Sequence, residues 1–67
     1  MTVYNIVNRC LLDGMVVIAW YKGNENTRTV KISSLEIRSK KLYQDIEVHR
    51  WENDTDEGIL YLYIKEE

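Results

Sequence analysis

The side chains that could do chemistry in this chain are few. Cys10 is its single cysteine and His49 its single histidine. Nucleophilic catalysis needs a nucleophile, a base and an orienting group brought together, and nothing in the sequence joins these two. No nucleophile elbow, zinc-protease HExxH, phosphate loop or dinucleotide fingerprint is present. A lone cysteine between Arg9 and Leu11-Leu12 reads as a small buried hydrophobe. One cysteine and one histidine supply neither an intrachain disulfide nor a Cys/His metal set. The sequence therefore predicts no catalytic residue, no metal and no cofactor.

Three other groups remain. The acidic run Glu52-Asn53-Asp54-Thr55-Asp56-Glu57-Gly58 has the oxygen density of a calcium loop. No frame, however, places both a glycine at the sixth position and a glutamate at the twelfth, so it reads as a solvated hairpin loop. The basic set Arg28, Lys31, Arg38, Lys40 and Lys41, with Tyr43 beside it, offers phosphate contacts and a ring that can stack on a base. The triplet His49-Arg50-Trp51 combines the residue types most enriched at binding hot spots. With Tyr43 it is the candidate partner-binding surface.

The elements that must position these groups fit into 67 residues. That length allows one domain with a thin core. Hydrophobic residues are 45% and charged residues 30%, a globular composition. The longest apolar run, Met15-Val16-Val17-Ile18-Ala19-Trp20-Tyr21, is far short of the roughly 20 residues a membrane helix needs. The N-terminal residues show no basic region leading into an apolar one, so a cytoplasmic setting is expected. The formal charge is −2, unevenly spread. Residues 1–44 hold seven bases against three acids, net +4, and residues 45–67 hold two bases against eight acids, net −6.

There is no proline, so turns fall to Asp13-Gly14, to Lys22-Gly23-Asn24-Glu25-Asn26 and to Asn53 through Gly58. Between them lie runs rich in Val, Ile, Tyr, Trp and Thr, which suit strands. Thr2 to Asn8 reads as a first strand of unclear period, and Asn8 to Leu12 as its continuation or a short helix. Gly14 to Lys22 reads as a central strand covered on both faces. Thr27 to Ile32 alternates Val30 and Ile32 against Thr29 and Lys31. Ile59 to Ile64 alternates Ile59, Tyr61 and Tyr63 against Leu60, Leu62 and Ile64, apolar on both faces. Such a strand is either central or covered by another chain, and this favours a homo-oligomer. Ser33 to Trp51 reads as strands, with a helix from Ser34 to about Asp45 as the alternative. Short strands and tight turns in so small a chain predict an all-β fold, a five-stranded antiparallel SH3- or Sm-like barrel with room for one short helix. A β-rich α+β domain is the alternative.

One stretch carries a family resemblance. Val17-Ile18-Ala19-Trp20-Tyr21, then Gly23, Arg28-Thr29-Val30, Leu35 and Leu42-Tyr43, follow the feature order of the WYL domain. That SH3/Sm-like barrel is attached to bacterial transcription regulators. The Trp-Tyr-Leu triplet itself is absent. The resemblance implies a small barrel and nucleic-acid or nucleotide sensing.

The expected function is a non-catalytic cytoplasmic protein-interaction module, similar in type to small accessory or inhibitor proteins of phage and mobile elements. It would bind a protein partner through Tyr43, His49, Arg50 and Trp51. The alternative is a nucleic-acid-binding barrel that uses Arg28, Lys31, Arg38, Lys40, Lys41 and Tyr43.

Overall fold

The structure is a computed structural model. It describes residues 1–10 and 14–66, apart from the side chain of Cys10. Leu11, Leu12, Asp13 and Glu67 lie outside the described residues, and with them the Asp13 half of the expected Asp13-Gly14 turn. The elements run α1 (Val3–Cys10), β1 (Met15–Lys22), β2 (Glu25–Ser33), α2 (Ser34–Lys40), β3 (Arg50–Asp54) and β4 (Ile59–Glu66). The strands form one sheet in the order β2-β1-β4-β3. Two antiparallel hairpins, β1/β2 and β3/β4, meet through their parallel inner strands β1 and β4. The thinnest dimension of the Cα trace, 18 Å, suits one sheet under one layer of helices.

The expected closed barrel is therefore corrected to an open, mixed, four-stranded sheet with two short helices, the β-rich α+β alternative. Two misreadings account for the difference. The first segment is helix, not strand. Val3, Ile6 and Val7 recur at i, i+3 and i+4 and are fully buried, the spacing of a helical stripe. Its start is fixed by a reciprocal cap: the Asn5 amide donates to Thr2 Oγ1 at 3.3 Å, and the Thr2 amide donates to Asn5 Oδ1 at 3.2 Å. The amides of Val3 and Tyr4 donate to the carbonyls of Ile46 and Gln44, so the free N–H groups of the helix end are partnered.

The second misreading lies in Ser33 to Trp51. Ser33 ends β2, strand resumes only at Arg50, and the helix alternative holds for 34–40, which form α2. At Ser33-Ser34 the chain makes a strand-to-helix turn. Ser33 caps α2, its Oγ accepting from the Glu36 amide at 3.1 Å. Ser34 is fully buried, its amide donating to the Gly14 carbonyl and its Oγ accepting from the Gly14 amide. Leu35 is 61% exposed, and Ile37 is the buried apolar residue of α2.

The core is one cluster. Val3, Ile6, Val7 and Ile37 from the helices meet Val16, Ile18, Trp20, Ile32, Leu60, Leu62 and Ile64 from the sheet, and Val48 from the loop before β3 closes it. All the strand members lie on one face. β1 and β4 are both central, as their apolar runs required. The expectation that β1 is covered on both faces is corrected: the helices pack on the Val16/Ile18/Trp20 side only. Among the described residues no helix is long and apolar enough to cross a membrane.

Candidate functional site

The other sheet face is built by the same two-residue period that builds the core. Pairing sets Val17 beside Tyr61 and Ala19 beside Tyr63 across the inner strands, and Tyr21 beside Lys65. It also sets Arg50 beside Tyr63 and Glu52 beside Tyr61 on the β3 side, and Lys31 beside Val17 and Thr29 beside Ala19 on the β2 side. Met15 and Ile59 complete the stripe at the start of β1 and β4. No described residue covers this face. Val17, Tyr21, Ile59, Tyr61 and Tyr63 are half-buried, and Met15 is exposed.

One end of the face is aromatic and basic. The rings of Tyr21 and Tyr63 lie 6.0 Å apart, and the Arg50 guanidinium sits 4.6 Å from the Tyr63 ring centre, within cation–π range. These residues, with Gly23, Asn24, His49 and Lys65, line an open groove of about 410 Å³. The His49 amide donates to the Tyr63 carbonyl at 2.9 Å, anchoring the entry into β3. Burial pushes the Tyr63 phenol above its ordinary value. The Glu52 carboxylate pushes it the same way, and the Arg50 guanidinium pulls it back.

The opposite end is acidic. β3 runs from Arg50 down to Glu52 and Asp54, then into the turn that carries Asp56 and Glu57. This is the stretch with calcium-loop density. It forms the β3–β4 hairpin turn, with Asp54 Oδ1 accepting from the Glu57 amide at 3.2 Å and Gly58 at φ +68°, a left-handed value that glycine takes without penalty. Among the described residues no cluster of three or more His, Cys, Asp and Glu is arranged to hold a metal ion.

The residues expected to bind a partner separate. His49 and Arg50 line the groove. Trp51 pairs with Leu62 and so lies on the helix side of the sheet, 41% exposed, outside the buried cluster. Tyr43 is elsewhere, half-buried against the core, with φ +58°. It makes an edge contact with Trp20 at 5.9 Å between ring centres, and Arg28 lies 4.8 Å from the Trp20 ring centre and 5.9 Å from that of Tyr43.

The basic set separates as well. Arg28 is engaged in that aromatic cluster and also reaches Tyr43 Oη at 3.4 Å. Lys31 faces the open sheet surface. Arg38 and Lys40 end α2 and Lys41 caps it, with Lys40 Nζ 4.0 Å from Glu36. No single groove collects them. The side chain of Cys10 lies outside the described residues, so its pairing with His49 has no geometry here.

Val17, Tyr21, Tyr61 and Tyr63 were not among the expected site residues. Their signal was the terminal strand itself. Its tyrosines share one parity and its purely aliphatic residues the other, and a tyrosine, apolar in body and polar at the tip, suits the wetter face.

Comparison with protein families, with characterised proteins and with solved structures finds no match. The barrel implied by the WYL resemblance is not formed.

Proposed function

We propose that this protein is a non-catalytic protein-interaction module that binds through the outer face of its sheet. Val17, Tyr61 and Tyr63 form the centre of the contact, and Arg50, Glu52 and Lys31 its rim. One observation carries the reading: both helices lie on the same side of the sheet, so Tyr21, Tyr61 and Tyr63 with Met15, Val17 and Ile59 on the other side stay open to solvent. Tyrosine supplies a large contact area with little side-chain freedom to lose, and a polar rim around an apolar centre is how interfaces are built.

Single-stranded nucleic acid is the competing ligand, because tyrosines on the inner strands of an open sheet can stack bases. The acids Glu52 and Asp54 on the same face, the acidic turn that follows them, and a net charge of −2 oppose it. The test is a photo-crosslinking residue in place of Tyr61, with Lys40 on α2 as the control position, irradiated in producing cells. A protein adduct specific to position 61 is expected. An adduct to nucleic acid transfers the face to that reading, and no adduct specific to position 61 ends both.

A further inference from the structure

We infer that the outer sheet face is covered by a second copy of this chain, related by a two-fold axis that crosses the strands at the level of Ile18 and Leu62. This names the partner for the reading above and rests on it.

The charge pattern of the face selects the axis. Arg50, Lys65 and His49 gather at one end of β3 and β4, and Glu52, Asp54, Asp56 and Glu57 follow toward the other. A two-fold along the strands, between β1 and β4, lays β3 over the partner's β2, so Glu52 meets Lys31 but Arg50 meets Thr29 and the basic end finds no acid. A two-fold across them turns the second copy end for end, so each basic end meets an acidic one. The register carries this to single residues. Ile18 pairs with Leu62 and Leu62 with Trp51, so Arg50 and Glu52 stand one residue to either side of the axis on β3. Arg50 of each copy then faces Glu52 of the other. By the same symmetry Tyr63 faces Tyr61 and Val17 faces Ala19, apolar on apolar. Lys31 faces Thr29, so the β2 edge brings no like charges together. At the ends, Lys65 faces Ile59, with Asp54 beside it on β3, and Tyr21 faces Met15.

The area is that of a weak dimer. The strands hold eight, nine, five and eight residues, and at about 3.3 Å per residue and about 4.8 Å apart they present roughly 475 Å² per copy. A pair buries about 950 Å², at the small end of specific interfaces. An isologous contact needs one self-complementary patch, and an amphipathic face with opposite charges on either side of its midline is one.

The test is sedimentation equilibrium on the wild-type chain, on Arg50→Glu, on Glu52→Arg and on an equimolar mixture of the two variants. Arg50 and Glu52 are exposed, and circular dichroism checks that both variants keep the native fold. The wild type is expected to dimerise, and each variant to weaken the dimer at least tenfold, since each reversal sets like charges face to face at two places. In the mixture both contacts are again between opposite charges, and association returns to near the wild-type level.

A monomeric wild type overturns the inference, as does a dimer indifferent to both reversals. So does failure of the mixture to recover, which the strand-parallel axis would give. The crosslink at position 61 separates this failure from that of the broader reading. An adduct to a different protein, with a monomeric chain, removes the second copy and leaves the interaction face standing.

Discussion

Leu60 has no exposed surface and lies on the inner strand that joins the two hairpins. Leu60→Ala should cost about 2–5 kcal/mol through lost burial and the cavity left behind. A domain of this size holds roughly 3–10 kcal/mol in all, so the variant is expected to be largely unfolded in urea that leaves the wild type native. Leu35→Ala, at a position 61% exposed, should stay within about 0.5 kcal/mol. Equal effects in urea titrations would contradict the assignment of faces on α2. Tyr63 makes a prediction about pH. Its phenol is raised in the folded protein, so above the ordinary value of 10.0 the unfolded chain gives up this proton first. Its contribution is complete below that pH and is lost as pH rises through the folded value. Thermal melts across this alkaline window should show Tyr63→Phe losing less stability than the wild type. At this scale the sequence was legible in part. The buried face of β2 followed from alternation, the two-sided apolar runs of β1 and β4 left theirs open, and Val3, Ile6 and Val7 carry the same β-branched types in a helical rhythm too short to separate from a strand.

The element that decided the fold is α2. It has seven residues, too short to be stable alone. Its caps and the burial of Ile37 hold it in place. Ser33→Ala removes the acceptor for the Glu36 amide and should cost about 1 kcal/mol, a fall of about 4–8 °C in Tm for a domain this small. Lys41 ends the helix at φ +53° and ψ 38°, a conformation that costs an L side chain about 1–2 kcal/mol. Lys41→Gly should recover part of that and raise Tm by a few degrees. If both variants melt with the wild type, α2 is not held by its ends. The sequence offered a helix from Ser34 only as the alternative to strands, because Ser39 breaks its apolar stripe and the two residues that dock it, Ser34 and Ile37, find partners only in the folded chain.

At the scale of the molecule, the parallel pairing of β1 with β4 joins the two ends of the chain. Contacts so far apart in sequence are costly to close and form late. The two charge halves are thereby set side by side: β1 and β2 belong to the basic half, β3 and β4 to the acidic one. Because β4 is central, removing residues 59–67 should abolish cooperative unfolding and near-ultraviolet dichroism rather than merely lower Tm. A truncated chain that keeps either signal would mean that the β1/β2 hairpin and the helices form a core without it.

What the sequence by itself determined is local: the positions of β1, β2 and β4, the glycine turns at Gly23 and Gly58, the apolar parity of β2 and the split of charge. These follow from backbone stereochemistry and side-chain period, which act over a few residues. Only the tertiary structure decided that the sheet stays open, that both helices share one side, and that tyrosines rather than the His49-Arg50-Trp51 triplet dominate the free face. Those outcomes depend on which apolar stripes bury one another. Val3, Ile6, Val7 and Ile37 cover one side of the sheet, and no described residue is left to cover the other.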